Sequence, residues 1–527
     1  MKVAARLLGF LLFVTVAGAH ADSLTFTVSN TNNAGAGSLR QAILDANGAS
    51  ASCEKQTIAF NIPGAGVHTI QPTSPLPDIQ IYTLIDGYTQ PGSALNSANE
   101  GDNAVILIEL DGSNAGASNG FRIGGIKSGV PCTGNQTTIA GLAINHFSLA
   151  GIEASGPACT PPNCFAVGAL RIYGTFIGTD PTGKIARGNG TGIHFGFNSS
   201  NNIVGDELLV DGGCNSTPCV QLRNIISGNA SDGVLLDSTN IAYPSQAHHF
   251  RGNYIGVDAT GTQPLPNGRY GFFADAGSTA VALHNSIVGA HSTDGVRIVG
   301  GQGSSVLYNA IGVGIGGVAL PNAGDGIHIM GDATGIGVGN TYPAISGAGF
   351  ASVAHNGGAG LYIEGNNSVV DVVGGAFGSN GGLGIDLAPR GVNPNNAANP
   401  GVGPNRALNA PVLLTAKRDN SKSPPTTVTG EVDTTPNVTA YVYLYLSKTC
   451  DPSGFGEGEG ESTFASVNTD GAGHGTFTLA SYAPSGTAVT TFNRQFVDVN
   501  GVPELTVSEF SNCIIVGDDV FADGFGG

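Results

Sequence analysis

One stretch occurs three times, and its recurrence constrains the fold more than any other feature. It reads IGTDPTGKIARGNGTGIHF from Ile177, IGVDATGTQPLPNGRYGFF from Ile255 and IGVGIGGVALPNAGDGIHI from Ile311. In each copy a short apolar strand ends in a Gly-Asp or Gly-rich turn. An Asn/Gly loop follows, and a second strand opens at Gly192, Gly271 or Gly326. A unit this small cannot bury its own apolar face, so repetition implies stacking of neighbours around a shared core.

Two further signals run through the same region. Gly followed by apolar-x-apolar recurs at Gly192, Gly233, Gly271, Gly295, Gly326, Gly360 and Gly384, in steps of 24 to 41 residues. Asn just before an apolar strand recurs at Asn202, Asn224, Asn253, Asn285 and Asn309, in steps of 22 to 32. A floor of 22 to 24 residues fits one coil of three short strands, with longer steps holding inserted loops. Copies one and two of the long repeat are 78 residues apart and copies two and three 56 apart. The 22-residue excess falls within Asp206 to Asn229, which reads as one added coil. A β-propeller needs regular four-stranded blades of about 40–45 residues, which these steps do not sustain. The expected fold is all-β: a right-handed parallel β-helix with an N-terminal helical cap, followed by a small antiparallel β-sandwich.

The cap is GSLRQAILDAN from Gly37, the one convincing helix: Ser38 is a ready N-cap, and Leu39, Ala42, Ile43 and Ala46 share a face. At the other end the repeat fades after Gly384 into a Pro/Asn-rich linker, and longer alternating strands follow, such as TAYVYLYLS from Thr439. The expected division is a signal peptide over 1–21, cap and first coils over 22–100, β-helix over 101–390, linker over 391–411, sandwich over 412–515 and an acidic-aromatic tail over 516–527.

Lys2 and Arg6, the apolar run Leu7 to Val16 and Ala19-His20-Ala21 make the signal peptide. The run is short for a membrane span, so the mature chain is expected to be secreted or displayed at the cell surface, without a transmembrane segment and as a monomer. Its eight cysteines then pair. Cys159 with Cys164 and Cys214 with Cys219 are close in sequence, Cys450 and Cys513 fall together near the C-terminus, and Cys53 is left with Cys132. These pairings are one choice among roughly 105. With only 11% charged residues, few of them basic, and a net charge of −18, no nucleic-acid partner is expected.

The order GSLRQAI, FNIPGAGVHTIQPTSPLP, IDGYTQPGS and FIGTDPTG resembles secreted bacterial right-handed parallel β-helix proteins of the pectin-lyase-like superfamily. The helix resembles the CSLREA-type segment of that group, with Gly37 in place of its Cys and Gln41 in place of its Glu. The resemblance implies the fold over most of the mature chain. It does not bring chemistry with it. The galacturonan hydrolases of the superfamily carry a GHG and an RIK-type motif. Here GHG occurs only at Gly473-His474-Gly475, in the sandwich, and Arg297-Ile298 is not followed by Lys.

Strand alternation projects one outward row from the Gly-initiated strands: His194, Leu235, Phe273, Arg297, His328, Tyr362 and Asp386. Aromatic and cationic groups along a rod suit an extended polysaccharide or another envelope component. Arg297, His328 and Tyr362 also offer a polysaccharide lyase its cation and its acid/base pair, so the expectations are a non-catalytic binder or, alternatively, a lyase acting on an acidic glycan. Asp180 and Asp258 recur at turns, where Asp bonds to nearby backbone. Calcium would need several convergent oxygen ligands, and Asp206, Glu207 and Asp211 form no such motif. No cofactor or metal is expected.

Overall fold

A computed structural model describes residues 23–49, 55–80, 82–124, 137–156, 167–168, 170–205, 221–237, 245–339, 352–396, 401–499 and 501–518. The segment expected to be a signal peptide, the end of the tail, Asp206, Glu207, Asp211 and all cysteines except Cys450 and Cys513 lie outside them.

Three long parallel sheets of eleven, ten and nine strands run through the first three-quarters of the chain. From the third turn onward each coil contributes one short strand to each sheet. In one coil, Leu170–Tyr173 lies in the first sheet, Phe176–Ile177 in the second and Thr191–Phe195 in the third. This is the right-handed parallel β-helix. Alternation sends every second side chain inward, so Ile193, Val234, Phe272, Val296 and Ile327 stack down the third sheet, each at most 1% exposed. The Gly that opens each third-sheet strand is there because the next coil passes too close for a side chain. A Cβ on Gly192 would lie 2.4 Å from the Gly233 carbonyl oxygen, and one on Gly233 2.6 Å from that of Gly271.

The stack corrects the coil count. Phe176–Ile177 and Tyr254–Ile255 are separated in the second sheet by Ile225–Ile226, and Tyr254–Ile255 and Ala310–Ile311 by Ile287–Val288. Both intervals hold two coils, so the extra 22 residues extend one coil between its first- and second-sheet strands. Likewise Asn202 and Asn224 begin strands of the same coil, in different sheets.

Asn ladders zip the corners together. Asn189 donates to Asn229 and Asn229 to Asn267, while Asn322 donates to Asn356 and Asn356 to Asn380, all at 2.8–3.1 Å and all buried. Asn229, Asn267 and Asn380 also accept the backbone N–H of the rung before, from Asn189, Asn229 and Asn356 respectively. His291 sits between the two runs, its own N–H donating to Asn322. Its ring nitrogens approach the Asn267 and Ile255 backbone without making a hydrogen bond, and burial lowers the ring pKa to about 4.

Both ends are covered, as an otherwise open stack with unpaired edges requires. At the start, the helix Leu39–Gly48 is capped by Ser38, whose hydroxyl accepts from the Gln41 N–H, and buries Leu39, Ala42, Ile43 and Ala46. At the finish, the C-terminal unit is a sandwich of two antiparallel sheets, one built on Val412–Arg418, Thr426–Asp433 and His474–Ser481, the other on Thr439–Ser447, Gly460–Asn468 and Ala488–Val499. Leu413, Val428, Val442, Leu444 and Phe477 fill the space between them. Phe492, Tyr445 and Phe510 instead join the β-helix core, with Phe510 edge-on to Phe377 at 6.4 Å. Arg494 grips Asp371 through two bonds of 2.7 Å. The Cys450–Cys513 disulfide is formed, with Cα atoms 5.7 Å apart. Among the described residues no helix is long and apolar enough to cross a membrane.

Candidate functional site

The register of the third sheet carries one continuous row, in which Glu153, His194, Leu235, Phe273, Arg297, His328, Tyr362 and Asp386 are successive neighbours. Its character changes along its length. His194, Leu235, Phe273 and Arg297 are half-buried, whereas His328, Tyr362 and Asp386 are buried. The row is therefore not the uniformly solvated face that alternation alone implies. His194 lies 3.9 Å from the Asp237 carboxylate.

At the middle of the row the corner before Phe273 adds two residues outside the Gly-initiated pattern, Arg269 and Tyr270. Arg269 forks onto Asp232, with Nε at 2.8 Å, and its guanidinium carbon lies 5.0 Å from the Tyr270 ring centre and 5.2 Å from that of Phe273. The two rings are 5.1 Å apart, and Arg297 approaches Tyr270 from the next coil at 5.2 Å. Arg297 is in turn paired with Asp294 at 3.2 Å. The result is a partly exposed platform of two rings and two guanidinium groups, each guanidinium matched by a carboxylate.

The matching carboxylates occupy one corner. Asp232, Asp294 and Asp325 each stand immediately before the Gly that opens a strand, and each accepts an N–H from the following coil: Tyr270, Asp325 and Ala359 respectively, at 2.8–3.2 Å. A carboxylate ladder on the sheet's rim results, and the Asp-Gly pair is its sequence signal. Burial pushes the Asp294 carboxyl up, but bonds from His328 and the Asp325 N–H, with Arg297 alongside, hold it below its ordinary range.

Beyond Arg297 the row closes. His328 places Nδ1 3.3 Å from Asp294 and 3.6 Å from Asp325, and Nε2 2.8 Å from Glu364. Both ring nitrogens thus face carboxylates, which leaves neither for an incoming substrate. Asp294, Asp325 and His328 bring ligand-type atoms within 4.8 Å of one another. The cationic role beside them is filled by side chains, since Arg390 forks onto Asp325 at 2.9 and 2.6 Å. Its guanidinium also covers the Tyr362 ring, 3.8 Å from the centre. Tyr362 packs against His328 at 4.9 Å, and burial raises its phenol pKa. Asp386, last in the row, accepts from the Gly391 N–H; burial, reinforced by nearby Glu509, drives its pKa up to about 7.

Asp180 and Asp258 bond within their own turns. Asp180 accepts from the Thr182 hydroxyl and the Lys184 and Ile185 N–H groups, and Asp258 from the Thr260 hydroxyl and the Thr260 and Gln263 N–H groups.

No family model matches the chain, and no curated protein matches it. Among solved structures it is similar to the A-module of the Azotobacter vinelandii mannuronan C-5 epimerase AlgE4, with 14% identity, a TM-score of 0.32, and coverage of 71% of this chain and 100% of that one. For the AlgE6 A-module from the same organism the values are 11%, 0.29, 70% and 100%. For the tailspike protein gp49 of Acinetobacter baumannii bacteriophage Fri1, a capsular polysaccharide depolymerase, they are 7%, 0.22, 93% and 83%. At these values the likenesses add nothing to the strand pairing above and carry no chemistry to this chain.

Proposed function

We propose that the chain is an exported rod that binds a carbohydrate of the cell envelope along the third sheet, by stacking sugar rings and without catalysing a reaction. The observation that carries this reading is the partly exposed platform of Arg269, Tyr270, Phe273 and Arg297. An aromatic face and a flat guanidinium both accept the apolar face of a sugar, while their edges hydrogen-bond to hydroxyls. Because Asp232 and Asp294 already match the two guanidinium charges, the platform favours neutral sugars over polyanions, and a net charge of −18 acts in the same direction. Against the lyase alternative stand the His328 nitrogens, both engaged by carboxylates, and the Tyr362 ring, covered by Arg390.

The test is glycan-array binding by the mature protein, followed by titration of the polymers it retains. Phe273→Ala is expected to weaken binding about tenfold, a loss of roughly 1.4 kcal/mol, whereas Leu414→Ala, on the sandwich, leaves it unchanged. Binding should vary little with salt. Incubation with uronate polymers is expected to yield no unsaturated-product absorbance. Absorbance abolished by His328→Ala or Tyr362→Ala would overturn the binding-only reading.

A further inference from the structure

The segment from Leu387 to Asn393 turns back over the closed end of the row, and three observations describe how it is held. First, it is tied down by two buried carboxylates from different parts of the molecule. Asp386, 3% exposed and on the last β-helix strand, accepts from the Gly391 N–H. Glu509, 5% exposed and on the sandwich, accepts from the Leu387 and Asn393 N–H groups and from the Asn393 side chain. Second, the segment's one cation, Arg390, is what shields Tyr362 and neutralises Asp325, although its own side chain is half exposed. Third, the segment borders a partly open cavity of about 200 Å³, lined by Pro389, Asn393, Leu408, Asn409 and Glu509.

From this geometry we infer that residues 387–393 are a latch over the end of the binding row, released when Asp386 ionises beside Glu509, and that release uncovers Tyr362 as a further stacking position. Regulation of the row rests on the binding reading above; the latch itself does not. Asp386 faces Glu509 from the sandwich, Arg390 on the latch, Asp325 on the adjoining rim and Tyr362 on the neighbouring strand. Glu509 and Asp325 oppose its charge, Tyr362 is neutral, and only Arg390 favours it. Burial and Glu509 raise Asp386 to about 7, and burial raises Glu509 as well. With the latch open and Asp386 in water, its pKa returns towards the ordinary 3.8. The closed form then holds its proton over the interval from about 4 to 7 while the open form has lost it. Opening is therefore favoured progressively as pH rises through that interval, and its pH dependence levels off above 7. Tyr362 lies three strands beyond Phe273, so release lengthens the stacking surface from the platform towards the sandwich.

The experiment is amide hydrogen exchange on the mature, glycan-free protein from pH 5 to 8.5, corrected for base-catalysed exchange and read at Leu387, Gly391 and Asn393. The opening constant is expected to rise about tenfold per pH unit up to about pH 7 and then to flatten. Asp386→Asn keeps an acceptor for Gly391 but cannot ionise, and should remove the Asp386 part of the rise; with Glu509→Gln added, whose carboxyl is also raised by burial, the profile should be flat. Glu509→Gln removes the like charge and should bring the plateau to lower pH. Exchange that is flat with pH in the wild type, or a rise that is unchanged in Asp386→Asn, overturns the latch. No glycan is present, so failure of sugar binding leaves the latch intact, and a flat profile leaves sugar binding intact.

Discussion

The substitution His291→Asn should stabilise the protein and make it less sensitive to acid. The rungs on either side are Asn267 and Asn322, each in register to bond with an asparagine side chain placed between them. The introduced amide can accept from Asn267 through its Oδ1 and donate to Asn322 and Ile255 through its Nδ2, as Asn229 does with Asn267 and Ile177. Two or three new buried hydrogen bonds contribute about 1 kcal/mol each, and two ring nitrogens without a hydrogen bond disappear. Against this, a smaller side chain leaves a void costing up to about 1 kcal/mol at ~24 cal/mol per Å³. The net expectation near pH 7.5 is a gain of about 1–2 kcal/mol. The acid term follows from linkage. His291 titrates at about 4 when folded and near 6.5 when unfolded, so below 6.5 the unfolded chain takes up a proton that the folded chain refuses. Stability drops as pH falls through that window, by roughly 2 kcal/mol at pH 5 for this one group. Equilibrium guanidinium unfolding of both proteins at pH 7.5 and pH 5 measures both effects. The variant's advantage should be larger at pH 5 than at pH 7.5. A variant less stable at pH 7.5, or an advantage that does not grow on acidification, would refute the reasoning about the ladder.

Two further outcomes follow from how the sandwich closes the stack. Arg494→Ala leaves Asp371 largely buried without its partner and should cost roughly 3 kcal/mol, read as faster proteolysis within the linker before the β-helix itself unfolds. Reducing Cys450–Cys513, which spans a sequence separation of 63, should release about 4 kcal/mol of loop constraint; a thermal scan with and without reductant should show the sandwich unfolding earlier.

Local pattern made the outward row legible, because a strand has a period of two and the Gly before each one marks where the next coil passes within contact of the backbone. The helix at Leu39–Gly48 was legible for the same local reason, a cap followed by one apolar face. Coil counting failed because residue arithmetic cannot tell an added coil from a lengthened loop when both add 22 residues; only the partners of Ile225–Ile226 decide it. Arg269 and Tyr270 were missed because they precede the strand instead of alternating along it. Nor could a local pattern find Arg390 on Asp325 or Arg494 on Asp371, which join residues 65 and 123 apart. Such contacts depend on where the chain goes after its periodicity stops.

Those long-range contacts are also where cap and site become one problem. A β-helix has to close its last coil, and this chain does so with Phe510 against Phe377 and with Glu509 holding the backbone of the returning segment. Once the sandwich is seated there, Arg390 is delivered onto Tyr362 as a consequence of the closure. Groups that would be solvated on an isolated stack become buried, and the Asp386 carboxyl is pushed to about 7 by the same burial that completes the core. The open platform at Phe273 and the closed cluster at His328 therefore differ less in their residue types than in their distance from the cap. A chain with the same row and more coils before its sandwich would keep more of that row open.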